Sequence, residues 1–169
     1  MKQLFWLIIF IAFGFFTVNA QNKSNKGKDF WVGWGHNVLP AGTTTGATSK
    51  LAIYISADIT ANITISIPGT TFSTITDVVN AGQVKTYQIT ITSIMLTTEG
   101  VILNKSIHIE SDVDIVAYAH QYGQNSAGAT MLMPVETYGY TYYSINYTQR
   151  SNMLASGTAG NSCYSWCYI

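Results

Sequence analysis

The segment LAIYISADITANITISIPG, residues 51–69, carries the clearest strand pattern in the chain. Large aliphatic side chains alternate with smaller or more polar ones in LAIYIS, and the same alternation returns in NITISI. A period of two is typical of a half-buried β-strand, because successive side chains point to opposite faces of a sheet. Pro68 and Gly69 then predict a turn, since Pro presets φ and Gly tolerates a positive φ. The stretch therefore predicts two strands followed by a turn.

Similar short segments recur along the rest of the chain, and helical periodicity is missing after residue 20. Further strands are predicted near residues 72–79, 87–91, 106–111, 115–122, 131–133 and 141–147, with a polar loop at 123–129. Residues 115–122 are apolar on both faces, which predicts a central strand covered on each side. The pattern favours an all-β fold, an antiparallel β-sandwich of about eight or nine short strands.

An aromatic strand is predicted in GKDFWVGW, residues 27–34. Phe30, Val32 and Trp34 share one face and are expected to fill the core. Trp31 shares the other face with Gly33 and Gly35, which leave room for a neighbouring aromatic ring or mark a bulge. An alternative reading gives Trp31 a functional role, as an exposed platform for a ligand.

The first twenty residues have the features of a signal peptide. Lys2 precedes an apolar run that ends at Val18, and Val18 and Ala20 fit the positions before a signal-peptidase cut. The run is shorter than the roughly 20 apolar residues that span a bilayer. We therefore expect a secreted or cell-surface protein, with no membrane span in the mature chain and one sandwich domain over residues 21–147.

The tail, residues 148–169, turns polar and small and loses the alternation, until YSWCYI resembles the start of another strand. Because an unfinished apolar strand leaves an open sheet edge, we expect that the chain is a truncated part of a longer protein. Cys163 and Cys167 lie about 13 Å apart if extended, which disfavours a local disulfide, and a lone pair is weak as a metal site. Pairing with another chain remains an alternative.

Charged residues make up only 9% of the chain, and eight basic residues balance eight acidic ones. Nucleic-acid binding depends on many Lys and Arg contacts to phosphates, so this composition argues against nucleic acid as a partner. Thr, Ser, Asn and Tyr supply the surface polarity instead. A protein or glycoprotein ligand fits such a surface better.

Catalytic and cofactor-binding motifs are missing. Nucleophile elbows, phosphate-binding loops and dinucleotide loops are absent, so we expect no enzyme activity and no cofactor. The three histidines, His36, His108 and His120, show no metal-ligand spacing and are expected to be satisfied or surface residues. Residues 110–114 hold Glu110, Asp112 and Asp114, which we interpret as a hairpin turn, with Ca²⁺ ligation as the alternative.

Four segments, taken in order, resemble the N-terminal domain of IgGFc-binding proteins. They are GKDFWVGW at residues 27–34, SKLAIYISAD at 49–58, NKSIHIESDVDIVAYA at 104–119 and PVETYGYTYYSINY at 134–147. The resemblance implies a secreted or surface protein, often a bacterial one that carries further modules. The family name comes from mucus proteins that associate with antibody Fc, and the domain has no known catalytic residues to carry over.

The sequence thus predicts a non-catalytic binding or adhesion module that recognises a glycoprotein or another surface component. Its contacts are expected on polar-aromatic loops and outer strand faces. The residues proposed for partner contact are Trp31, Tyr122, Asn125, Tyr138, Tyr140 and Tyr142. Two alternatives are a purely structural module of a larger surface protein and a carbohydrate-active enzyme domain.

Overall fold

The computed structural model describes residues 24–35, 50–90, 94–96, 104–123 and 127–143. These residues form one antiparallel sheet of seven strands. The strands are β1 Gly27–Gly33, β2 Lys50–Ala57, β3 Ala61–Ser66, β4 Ile75–Val79, β5 Val84–Ile89, β6 Ser106–Tyr122 and β7 Ala127–Met131. A 3₁₀ turn, Val135–Thr137, follows β7. Within the described ranges, no helix has the length and apolar character needed to cross a membrane.

Strand β6 is the spine of the sheet and pairs along both of its edges. Ile115 pairs with Ala57 of β2 and also with Gly27 of β1, so these two strands lie on opposite edges. The first part of β6 pairs with β1 and β3, and the last part with β2 and β7. We call the first group, with β4 and residues 106–111 of β6, the β1 half. The second group, with β5 and residues 115–122, is the β7 half.

The hairpin turn that the sequence predicts at residues 110–114 is wrong, because β6 runs through these positions without a break. The carboxylate of Asp112 accepts hydrogen bonds from the Asn62 backbone N (2.9 Å) and from Asn62 Nδ2 (2.6 Å). The side chain thereby joins β6 to β3, where the backbone pairing between these strands ends at Ile63 and Ser111. An Asp that bonds a neighbouring strand gives the same sequence signal as one that closes a turn.

The sheet bends sharply between its halves. Asp77 of β4 and Tyr87 of β5 are ten residues apart in sequence, a separation of roughly 33 Å in a straight strand. Their side chains nevertheless meet, because Tyr87 Oη donates to Asp77 Oδ2 at 2.9 Å. Lys85 Nζ donates to both oxygens of the same carboxylate at 2.9 Å. Strands β4 and β5 stand at opposite ends of the strand order β4-β3-β6-β2-β5, so these contacts bring the two ends of the sheet together, and the sheet curls into a half-barrel.

The core lies on the concave side of the curled sheet and draws on both halves. It contains the alternate residues that point inward along each strand. Fully buried members include Phe30, Ile65, Ile107 and Ile109 from the β1 half, and Ile53, Ile55, Ile115 and Ala117 from the β7 half. Each large side chain removed from water contributes about 1.5–3 kcal/mol. One shared core therefore ties the two halves together.

The all-β, antiparallel prediction is confirmed for the described residues, and several strand positions differ. The sequence places a loop at 123–129, whereas β7 begins at Ala127; its five residues are all exposed, so no apolar alternation marks them. The strand expected at 72–79 begins only at Ile75, and residues 141–143 are not in a strand. The leader at 1–20 and the tail at 148–169 lie outside the described residues.

Candidate functional site

Strand β1 turns its apolar wedge inward, as its alternation predicts. Phe30 and Trp34 are buried, at 0% and 1% exposure, and Val32 packs partly against the same core. Trp31 points to the opposite, outer face and remains 39% exposed. The space beside Gly33 is filled by aliphatic Leu96 rather than by an aromatic ring, since a Cβ at Gly33 would lie 3.2 Å from Leu96 Cδ1.

A stacked ring pair forms the centre of the outer surface here. Trp31 and His108 are opposite residues of the β1–β6 ladder, and their rings stack with centroids 3.9 Å apart at 11°. His108 Nε2 donates to Asp29 Oδ1 at 2.9 Å, and His108 Nδ1 lies 3.6 Å from Glu110 Oε2. A carboxylate can only accept, so Nε2 carries a proton. The imidazole is thus held between a tryptophan and two acids.

The segment after β7 brings two tyrosines to the same place. Pro134 packs against Gly27, where an added Cβ would lie 2.3 Å from Pro134 Cβ, so this glycine lets the 3₁₀ turn lie directly on β1. Tyr138 then reaches the Trp31 backbone. Burial raises the pKa of Tyr138; a hydrogen bond with the Trp31 backbone lowers it, and the charges of Tyr142 and Asp29 raise it further. Tyr142 Oη accepts a hydrogen bond from the Gly139 backbone N at 2.9 Å.

These side chains make one surface, which we call the tryptophan patch. Its members share the outer face of β1 and β6 and the segment that covers the β1 edge. They are Asp29, Trp31, His108, Glu110, Tyr138 and Tyr142. Most of them keep a large part of their side chain in solvent, including 43% of Asp29 and 56% of Glu110. Accessible aromatic rings and acids with free lone pairs suit the binding of a ligand.

A second ring cluster, the tyrosine stack, lies on the outer face of the β7 half and consists of Tyr54, His120 and Tyr122. The rings of His120 and Tyr122 have centroids 4.9 Å apart at 27°, and those of Tyr54 and His120 lie 6.0 Å apart at 33°. Tyr54 Oη and His120 Nδ1 are 3.2 Å apart, and Tyr122 Oη donates to Gln88 Oε1 at 3.1 Å. The sequence predicts that residues 115–122 are covered on both faces. This is wrong for the outer face, where Tyr118 is 41% exposed.

The structure separates the residues that the sequence grouped as partner contacts. Trp31, Tyr138 and Tyr142 come together in the tryptophan patch, whereas Tyr122 belongs to the tyrosine stack in the other half. Tyr140 is fully exposed, and Asn125 lies outside the described residues.

Sequence reasoning missed Asp29, His108 and Glu110 as members of the patch. The available signal was their position, since His108 and Glu110 are two apart on the polar face of a strand. The histidines were expected to be satisfied or on the surface, and both described ones have hydrogen-bonded ring nitrogens. His36 lies outside the described residues. Among the residues whose placement is described, no three or more His, Cys, Asp or Glu side chains are arranged to hold a metal ion.

Comparison with known proteins assigns no family to the chain. No family model and no curated protein matches it. Among solved structures, the crystal structure of Thermotoga maritima 1070 resembles it with a TM-score of 0.41 and 19% sequence identity. That alignment covers 67% of this chain and 98% of the other.

Proposed function

We propose that this protein is a secreted or cell-surface binding module without catalytic activity, which recognises a glycoprotein or another surface component. The observation that carries the proposal is the tryptophan patch, with Trp31 39% exposed beside two exposed tyrosines. Trp and Tyr are the side chains that most often dominate binding energy at protein interfaces. Their rings give large contact areas at low entropic cost, and their polar tips fix orientation.

The patch also stands on a rigid support, which favours a binding role. Trp31 and His108 lie on adjacent paired strands, and the buried Phe30 anchors β1 from the opposite face. Side chains fixed by a sheet lose little freedom when a ligand binds, so less of the interaction energy is spent on ordering them. Loops without such support would pay that cost at each binding event.

Secretion and family membership belong to the same proposal and rest on sequence. The leader at residues 1–20 supports export. The four similar segments, which occur in the same order along the chain between residues 27 and 147, support a relationship to the IgGFc-binding N-terminal domain. We propose on the same grounds that the domain is a sandwich with eight or nine strands; the described residues form seven strands in one antiparallel sheet. Association with Fc follows only from the family name.

A structural role in a larger surface protein is the second candidate, and β7 favours it. All five residues of this strand are exposed, and among the described strands it pairs with β6 alone. An edge strand with free backbone groups can pair with a neighbouring module. A binding assay separates the candidates, because a purely structural module retains no ligand through its aromatic patch.

The test is capture of a partner by the full chain, expressed with its own leader. The wild-type protein is immobilised and probed with IgG, with mucin and with a glycan array, and each experiment is repeated with Trp31→Ala. Tyr118→Ala is the matched control. Tyr118 is as exposed as Trp31 and lies on the same outer face of the sheet, but on β6 in the β7 half. Thermal unfolding of each variant establishes that it is folded.

We expect retention of at least one of these probes by the wild type and by Tyr118→Ala. Trp31→Ala should weaken that binding by roughly tenfold or more, the size of effect seen for a central tryptophan of an interface. Failure of the wild type to retain any of the three, or equal binding by Trp31→Ala, would contradict the proposal.

A further inference from the structure

We infer that the tryptophan patch takes a cationic side chain, in the first place an arginine carried by a protein partner. This inference rests on the proposed binding function and specifies its ligand. It follows from the excess negative charge of Asp29 and Glu110, from the aromatic rings beside these acids, and from the distance between the acids and the Trp31 ring.

The two acids of the patch face one basic side chain, His108. Asp29 and Glu110 each pair with His108, and within the described part of the chain neither forms an ion pair with a lysine or arginine. Other carboxylates do, since Lys26 pairs with Asp58 and Lys85 with Asp77. One imidazole faces two carboxylates, so the patch has a surplus of negative charge.

The positions of these two acids set like charges opposite each other, with His108 as the one base that contacts both. Asp29 and Glu110 are direct partners in the β1–β6 ladder. Like charges directly opposite each other on antiparallel strands are destabilising, because their Cβ atoms are only about 4.5–5.5 Å apart. A cation from a ligand would bind both carboxylates and remove the repulsion.

The rings add a second attraction for the same ligand. An aromatic face carries partial negative charge, and Trp is the strongest of the aromatic side chains in binding cations. Trp31 follows Asp29 by two positions on the same face of β1, a separation of about 7 Å. One face of the indole is stacked on His108, so an extended side chain would meet the acids and the opposite face of the indole at once.

Arginine fits this arrangement better than lysine. Its guanidinium is planar, stacks on aromatic rings and donates two parallel hydrogen bonds to a carboxylate. An ammonium is a compact, strongly hydrated charge without that shape. A neutral glycan would leave the carboxylates without a counter-charge, and it is the competing outcome in the test below.

The probe is the peptide acetyl-Gly-Arg-Gly-Arg-Gly-amide, compared with peptides in which lysine or neutral citrulline replaces arginine. Binding to the full chain is measured by calorimetry and by NMR shifts of the Trp31 indole N–H. Tested variants are Asp29→Asn and Glu110→Gln. Asp114→Asn is the matched control, since it removes one negative charge from an exposed position of the same strand outside the patch.

We expect the arginine peptide to bind more tightly than the citrulline peptide by roughly three- to tenfold, with lysine between them. Asp29→Asn and Glu110→Gln should each weaken arginine binding about two- to fivefold, whereas Asp114→Asn leaves it unchanged. Glu110→Gln should not lower the unfolding temperature, because it removes a repulsion; a merely structural role for Glu110 would lower it.

Equal binding of the arginine and citrulline peptides would overturn the inference, and so would an equal loss on Asp114→Asn. If Trp31-dependent capture of a neutral glycan occurs while the arginine peptide fails to bind, the cationic ligand is wrong and the binding function stands. If Trp31→Ala changes neither the capture of the probes nor the binding of the arginine peptide, the proposed binding function and the cationic ligand are both wrong.

Discussion

The outer face of β6 carries a ring cluster in each half of the sheet, and the two differ in charge. In the tryptophan patch His108 lies between two carboxylates, whereas in the tyrosine stack His120 lies between two phenol rings. Both histidines are placed outward by the alternation that sends Ile109 and Ala119 into the core. Alternation therefore sets where the side chains point, and the choice of residue at each outer position sets the charge that surrounds each histidine.

The two halves should nevertheless unfold together, because they share one core. Ile109→Ala in the β1 half and Ile53→Ala in the β7 half each leave a cavity at a fully buried site. We expect each to lower the free energy of unfolding by about 2–5 kcal/mol, with a single transition retained. Urea unfolding followed by tryptophan fluorescence and by circular dichroism measures both quantities. Two separate transitions would show that the halves are independent.

The next largest difference in stability is expected between a glycine of β1, Gly27, and a glycine of β7, Gly128. Gly27→Ala places a Cβ into the ring of buried Pro134 and should lower the free energy of unfolding by about 1–3 kcal/mol. Because that ring holds the 3₁₀ turn on β1, the variant should also displace Tyr138 from the tryptophan patch. Thermal unfolding and the NMR signals of Tyr138 report the two effects.

Gly128→Ala on β7 is the matched control. A Cβ at Gly128 would meet no atom within 4 Å. We expect the free energy of unfolding to change by less than about 0.5 kcal/mol, and the tryptophan patch to stay intact. Similar losses in the two glycine variants would mean that Pro134 does not pack tightly on β1.

Several strands and their inner faces could be predicted from the sequence. The alternation in β1, β2 and β3 predicted the inner faces of these strands correctly, because burial of one sheet face imposes a period of two. Strand β7 was not predictable in this way, since its small residues are exposed on both faces and gain their pairing from β6. Pairing partners come from tertiary structure, which a local pattern does not encode.

The candidate site was predictable only in part, for a related reason. Trp31 stood out as the one large aromatic on the polar face of β1, but its stacking on His108 depends on a register between residues 77 positions apart. Glu110, one of the two acids beside His108, was assigned to a turn together with Asp112 and Asp114, because residues 110–114 have the composition of one. Strand β6 continues through these positions, and Asn62 of β3 donates to the Asp112 carboxylate there.

Double-mutant cycles measure the coupling energy between paired rings in each of the two ring clusters. For Trp31 and His108 we expect a coupling energy of about 0.5–1.5 kcal/mol, since their rings are nearly parallel and in contact. For His120 and Tyr122, whose ring centroids are 4.9 Å apart at 27°, we expect a coupling below about 0.5 kcal/mol. Alanine variants and their double variants, compared by urea unfolding, give both values. Equal couplings would mean that ring geometry does not distinguish the clusters.

The smallest expected effects concern acid unfolding and two carboxylates that link strands, Asp77 between β4 and β5 and Asp112 between β6 and β3. The pKa of Asp77 is lowered by hydrogen bonds from Lys85, from the Val78 backbone and from Tyr87. The pKa of Asp112 is lowered by bonds from the side chain and backbone of Asn62. A carboxyl whose pKa is lower in the folded state stabilises the fold above its unfolded pKa, and that contribution is lost as pH falls through the folded value.

Stability should therefore decline below about pH 5, and Asp77→Asn and Asp112→Asn should each make that decline shallower. The change should be greater for Asp77, because a lysine is among its donors and a charged donor makes a stronger bond than an amide. Unfolding by urea between about pH 2.5 and pH 7 measures the slopes. Since Asp77 joins β4 to β5 and Asp112 joins β6 to β3, unequal slopes show which of the two links depends more on charge. Curves parallel to the wild type would mean that neither carboxylate is held as the structure describes.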